Sequence, residues 1–130
     1  MYLHLICVAL LGLLIFGLGF GVSVQRAKTR TVYGCNNQPA DPLYKYSRAH
    51  GNAIEFAPFL AILIYILGQA PYAPWIGWMM VIATVARYMH AMGIIFGKTM
   101  AQPNPLRFLG ALITYISGIA LSAALLVRAI

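Results

Sequence analysis

The stretch Tyr46-Ser47-Arg48-Ala49-His50-Gly51-Asn52-Ala53-Ile54-Glu55-Phe56-Ala57-Pro58-Phe59 runs without a break into Leu60-Ala61-Ile62-Leu63-Ile64-Tyr65-Ile66-Leu67. On a helix of 3.6 residues per turn, Arg48, Asn52 and Glu55 fall at i, i+4 and i+7 and share one face. Lys45 extends that polar stripe by nearly a turn, while His50 points away from it. The apolar half has the composition of a membrane span. An ionisable group inside a bilayer costs at least ~2.5–3.5 kcal/mol and ordinarily faces a protein interior or a cavity. A stripe of Arg, Asn and Glu leading into such a helix therefore marks a site or a packing contact.

Working outward, the composition fixes the solvent. The chain of 130 residues is long enough for one domain, is 62% hydrophobic and only 8% charged, against roughly 25% charge in an average soluble domain. A core this small leaves much of its surface uncovered. A bilayer accommodates that surface, because about 20 apolar residues cross a hydrocarbon layer as one helix. The net charge of +7 comes from basic residues lying between the apolar runs, not along one soluble face. That arrangement fits membrane topology better than nucleic-acid binding, so no nucleic-acid partner is expected. Cys7 and Cys35 make no disulfide framework, and His4, His50 and His90 lack Cys or carboxylate neighbours at ligand spacing, so no metal is expected either.

The pattern predicts helices over about 2–24, 42–67, 73–96 and 106–127, an all-α bundle of four transmembrane helices forming a single membrane domain over 1–130. The first run is too long and too Gly-rich for a signal peptide, and lacks a positive n-region. Gly17 and Gly21 make a GxxxG spacing, read either as a packing seam or as ordinary membrane-helix glycine. Residues 25–45 read as a polar loop broken by Gly34, Pro39 and Pro42, with Asp41-Pro42 as cap and first residue of the second helix. Pro58 interrupts one backbone bond within that helix, which membrane helices tolerate. Tyr72, Trp75 and Trp78 form an interfacial aromatic belt. In the fourth helix Gly110, Thr114, Ser117, Gly118 and Ser122 make a small, weakly polar seam.

Loops 25–45 and 97–106 hold Arg26, Lys28, Arg30, Lys45 and Lys98, with Arg48 and Arg107 at the adjoining helix starts, whereas the loop around 68–74 holds no charge. The positive-inside rule then puts those two loops in the cytoplasm and both termini outside. Arg48/Asn52/Glu55, Arg87/His90 and Arg107 all lie toward the cytoplasmic ends of their helices. Glu55 is the only acidic residue inside a span and Arg87 the only cation well inside one, which predicts an ion pair, either fixing helix register or belonging to a site. The surplus of Arg over Glu asks for an anionic ligand, and the guanidinium fork suits carboxylates.

These residues carry a resemblance. Arg48-Ala49-His50-x-Asn52-x-x-Glu55-x-x-Pro58-Phe59 resembles the second-helix signature of the MAPEG family, the membrane-associated proteins of eicosanoid and glutathione metabolism. Ala86-Arg87-x-x-His90 resembles the family's third-helix motif. Gln102-Pro103-Asn104, followed by Pro105-Leu106-Arg107, resembles its third loop and the start of its fourth helix. The matches run roughly from Arg26 to Gly110 and are of the microsomal glutathione transferase kind.

The resemblance implies a homotrimer with glutathione bound between neighbouring subunits, open to the cytoplasm. Arg26, Arg48, Asn52, Glu55 and His90 match residues that hold the tripeptide, and Arg87 of the third-helix motif joins that set. The Glu suits the α-amino group and the Arg residues the carboxylates. Arg107 matches an Arg near the sulfur. A thiol of pKa about 8.5 is mostly protonated at neutral pH, and a fixed cation favours the thiolate. Arg cannot act as a base, so the implied role is electrostatic. The sequence also departs from the pattern: Ile94 stands where several members carry a Tyr near the sulfur, Phe108 where some carry Ser, and Gly51 replaces a further Arg.

The expected activity is conjugation of glutathione, as co-substrate, to hydrophobic electrophiles, or reduction of lipid peroxides. The alternative is a non-catalytic glutathione- or lipid-binding membrane protein. A small proton-coupled exporter would carry its lone intramembrane carboxylate on the first helix; here it lies on the second.

Overall fold

The structure is a computed structural model and describes residues 2–130, so Met1, the first residue of the expected domain, lies outside the described residues. Four helices follow one another: α1 Leu3–Thr29, α2 Pro42–Gly68, α3 Pro74–Ile95 and α4 Pro105–Ala129. Each is long and apolar enough to cross a membrane. α1 packs on α2, α3 on α4, and α2 and α3 join the two pairs, while α1 and α4 do not meet.

The first helix continues past Val24 to Thr29, so Arg26 and Lys28 belong to its last turn and not to a loop over 25–45. Loss of hydrophobicity ends a membrane span without ending a helix. Gln, Arg, Ala and Lys are good helix formers, and cations in a last turn complement the helix dipole. The helix stops where Arg30 turns left-handed at φ 52°, with Arg30 N–H donating to the Ala27 carbonyl and Thr31 N–H to the Arg26 carbonyl. That pair of bonds is the Schellman closure ordinarily built on glycine.

Two helix starts share one device. Asp41 accepts from the Tyr44 N–H at 2.8 Å ahead of Pro42, and Asn104 accepts from the Arg107 N–H at 3.1 Å ahead of Pro105. In each, the side-chain oxygen satisfies a free amide and proline occupies a position that needs none.

The core divides into two clusters. One gathers Cys7, Leu11, Leu60, Leu63, Ile64, Leu67, Met80 and Leu121. The other, nearer the end that carries the α1–α2 and α3–α4 loops, gathers Leu14, Leu18, Ala49, Ala53, Ala91 and Ile94. α2 turns inward a row of small residues, Ala49, Ala53 and Ala57, at i, i+4 and i+8, all fully buried. Small side chains let helix backbones approach closely in lipid, and this row fixes how α2 is rotated. The glycine spacing of α1 is not a single seam: Gly21 lies against Tyr46, whereas Gly12 and Gly17 face open space.

Candidate functional site

The α3–α4 contact is built on two glycines. A Cβ on Gly110 would sit 2.6 Å from the His90 backbone nitrogen and 2.8 Å from the Ala86 oxygen. A Cβ on Gly93 would sit 2.5 Å from the Arg107 backbone nitrogen. This close approach brings His90 to Arg107, with Nδ1 2.8 Å from the Arg107 carbonyl oxygen. A carbonyl only accepts, so Nδ1 carries the proton, and Nε2 of the neutral ring is left as an acceptor.

The Arg107 guanidinium donates to the carbonyls of Met100 at 3.0 Å and Gln102 at 3.2 Å, wrapping the α3–α4 loop around itself. Two of its five N–H groups are thereby used. Around them lies a cavity of about 700 Å³ lined by His90, the loop residues Ala101 to Asn104, and Pro105, Arg107, Phe108 and Ala111 of α4. The loop is pinned to α2 and to the loop before it, by Lys45 Nζ on the Gly97 carbonyl at 3.0 Å and by Met100 N–H on the Pro39 carbonyl at 2.9 Å.

Deeper in the bundle lies Arg87, 1% exposed. Its Nη2 donates to the Asn52 side-chain oxygen at 2.5 Å and to the Asn52 carbonyl at 3.2 Å, and its Nη1 lies 3.5 Å from the Thr114 hydroxyl. The Phe56 ring, one turn beyond Asn52, stacks beneath the guanidinium at 5.0 Å, a favourable placement for a desolvated cation. The expected ion pair is absent. Glu55 is exposed and has no cation within 4.0 Å among the described residues. The reason is rotational. Asn52 and Glu55 stand about 60° apart around the helix, and burial of the alanine row aims the Asn52–Phe56 edge at α3.

Asn52, Phe56, Arg87, His90, Ala111, Thr114 and Tyr115 enclose a further small cavity of about 50 Å³. A groove of about 530 Å³ follows between α2 and α4, walled by Phe59, Leu60, Leu63, Ile119 and Leu126, with Glu55 at its polar end. The three spaces follow one another along α4, sharing His90 and Ala111, then Phe56, Thr114 and Tyr115, as walls. A cup under a cation and an apolar groove thus flank the same small cavity.

The MAPEG family model matches residues 4–127. The chain belongs to the MAPEG family. No curated protein matches the sequence. As a MAPEG protein with four membrane-crossing helices, it is a multi-pass integral membrane protein of the glutathione and eicosanoid metabolism group.

Within this MAPEG chain the seven residues singled out from the sequence fall into separate groups. Asn52, Arg87 and His90 share one cavity, and His90 also touches Arg107. Arg48 and Glu55 lie exposed on the outward face of α2. Arg26 is turned to its own loop, donating to the Gly34 carbonyl at 3.0 Å and the Val32 carbonyl at 3.5 Å. Ile94 is buried in the core, so a hydroxyl there would not face the cup, whereas Phe108 is 66% exposed and lines it. Sequence reasoning missed Phe56 and Thr114 as partners of Arg87. Their signal was spacing: Phe56 lies one turn after Asn52, and Thr114 one turn after the tightly packed Gly110.

Proposed function

We propose that this MAPEG chain is a glutathione-dependent membrane enzyme that conjugates glutathione to hydrophobic electrophiles or reduces lipid peroxides, with Arg107 stabilising the thiolate. The observation that carries this reading is the placement of the Arg107 cup and the apolar α2–α4 groove on either side of one small cavity along α4, each sharing walls with it. It sets a fixed cation at one end of a row of spaces and room for the hydrophobic co-substrate at the other. Arg107 stands in the first turn of α4, where the helix dipole adds positive potential, and three of its N–H groups remain for a sulfur. The proton of the thiol leaves to solvent through the loop-lined cup, since no Arg takes it.

Arg48 and Glu55 supply the second support. Both are exposed on one chain, and a carboxylate facing lipid is costly. Coverage by a neighbouring subunit removes that cost and supplies the remaining walls of a glutathione site. In this reading the chain is one domain assembled as a homotrimer. Arg26, Arg48, Asn52, Glu55, Arg87 and His90 form the binding frame, Asn52 and Arg87 acting through the bond between them. The loops at 30–41 and 96–104 lie in the cytoplasm and both termini outside, by the positive-inside rule.

The test is thiolate formation. Glutathione added to the purified protein should give the ultraviolet absorbance of a thiolate and support conjugation of an aryl halide. Arg107→Ala should abolish both while glutathione affinity, measured by calorimetric titration, stays within about tenfold, or ~1.4 kcal/mol. A wild-type protein that binds glutathione with no thiolate signal is a non-catalytic binding protein. The apolar Phe108 at the cup, where a hydroxyl would assist the sulfur, favours that second reading.

A further inference from the structure

The end of the bundle opposite the α1–α2 and α3–α4 loops is almost free of charge. The α2–α3 turn holds no Lys, Arg, Asp or Glu, and Arg128, in the last turn of α4, is the charged side chain at that end among the described residues. His4, the titratable ring at the same end, is buried and packed against Gly68. Both acidic residues of the chain stand elsewhere. Asp41 caps the far end of α2, and Glu55 lies more than three turns before Gly68, roughly 20 Å along the axis.

Arg128 is held in place. Its Nη1 donates to the Leu67 carbonyl at 3.1 Å, where the end of α2 leaves carbonyls without helical partners. That bond uses one of the five N–H groups of the guanidinium. The side chain so fixed borders an apolar groove of about 280 Å³ between α3 and α4, lined by Trp75, Ile76, Ala123, Ala124 and Val127. Two alanines keep the α4 wall low, and Trp75, in the first turn of α3, stands half exposed at the rim. Trp and Tyr rings sit at headgroup level. Tyr72, Trp75 and Trp78 therefore put the Arg128 mouth of the groove at the membrane boundary, with Ala123, more than a turn back along α4, toward the hydrocarbon.

We propose that this groove holds an acyl chain of one anionic glycerophospholipid of the phosphatidylglycerol kind, whose phosphate accepts from Arg128. The guanidinium fork matches the phosphate oxygens, and basic pockets between membrane helices take anionic headgroups. A zwitterionic lipid would bring an ammonium group to an end of the bundle with no carboxylate to receive it. A lone cation over an apolar groove selects a headgroup of net negative charge.

The test uses the full chain in liposomes, with Trp78→Phe leaving Trp75 as the sole tryptophan. Quenching of Trp75 fluorescence by phosphatidylglycerol with brominated acyl chains is compared with quenching by brominated phosphatidylcholine at equal mole fraction. The ratio reports which lipid is enriched beside Trp75, and phosphatidylglycerol should be favoured by about fivefold, the effect of one cation on an anionic headgroup. Arg128→Gln should bring the ratio to unity. Lys28→Gln, an equal loss of charge at the other end, should leave it unchanged. Equal quenching by the two lipids overturns the proposal without recourse to any variant at Arg128. So does a preference that survives Arg128→Gln, or one lost equally in Lys28→Gln, which would make it a general charge effect. Weak quenching by both lipids would mean that a second copy of the chain covers the groove, and overturns it too.

Discussion

The sharpest consequence of the Arg87 geometry is an inversion of which α2 side chain matters for stability. Asn52→Ala removes the side-chain oxygen that Arg87 Nη2 holds at 2.5 Å, and leaves the bond to the Asn52 backbone carbonyl and the Phe56 stack in place. A hydrogen bond to a charged group contributes about 1.5–3 kcal/mol, and a stranded buried donor adds its desolvation. The expected loss is therefore about 2–3 kcal/mol. Glu55→Gln alters a side chain with no cation within 4.0 Å among the described residues, and with no bond to Arg87 to lose it should cost clearly less than Asn52→Ala. The assay is equilibrium unfolding in detergent, followed by the helical circular-dichroism signal, with each single variant combined with Arg87→Met. Asn52 and Arg87 should couple by at least about 1 kcal/mol, because removing one partner already forfeits the bond. Glu55 and Arg87 should be additive. A Glu55→Gln loss equal to that of Asn52→Ala, or strong Glu55–Arg87 coupling, would refute the assignment and restore the ion pair.

Other outcomes follow from the same packing. Gly110→Ala sets a methyl group against the backbone of His90 and Ala86, so α3 and α4 must part. Destabilisation by about 1–3 kcal/mol is expected, together with weaker glutathione binding as His90 leaves the Arg107 carbonyl; an unchanged unfolding midpoint would contradict it. Asp41→Ala and Asn104→Ala each remove a capping bond and should each cost about 1 kcal/mol, with Asn104→Ala alone also lowering thiolate formation, because its amide partner belongs to Arg107. Arg30→Gly relieves a left-handed residue at the end of α1 and should stabilise the protein by up to about 1 kcal/mol, read by the same unfolding assay. Cys35 should resist a membrane-impermeant maleimide in intact cells and react after permeabilisation, as a cytoplasmic loop requires; labelling in intact cells would reverse the topology.

Much of the architecture was legible because it is local. Four apolar runs announce four membrane helices from length and composition alone, since each helix satisfies its own backbone in lipid. Asp41-Pro42 announces the start of α2 for a similar reason: a cap involves residues three apart in the chain. The end of α1 was less legible, because hydrophobicity reports where the bilayer stops and the helix runs five residues further, to a left-handed Arg30 that no composition rule selects.

The site divides along the same line. Sequence alone determined which unusual residues the spans contain, and that an Arg-rich set at one end of the bundle needs acceptors. It did not determine which residue answers which. Pairing the lone intramembrane Glu55 with Arg87 follows from charge, but contact depends on the rotation of α2 about its axis. That rotation is set by burial of Ala49, Ala53 and Ala57 together with the partner surfaces they pack on. Likewise, in one dimension Gly93 carries no signal and Gly110 is only one member of a small, weakly polar seam. Only with α3 laid against α4 do they become the two points at which backbones touch and His90 reaches Arg107. Helix existence is a property of each segment with its solvent, whereas helix rotation and approach are properties of pairs of segments, and those the tertiary structure alone decides.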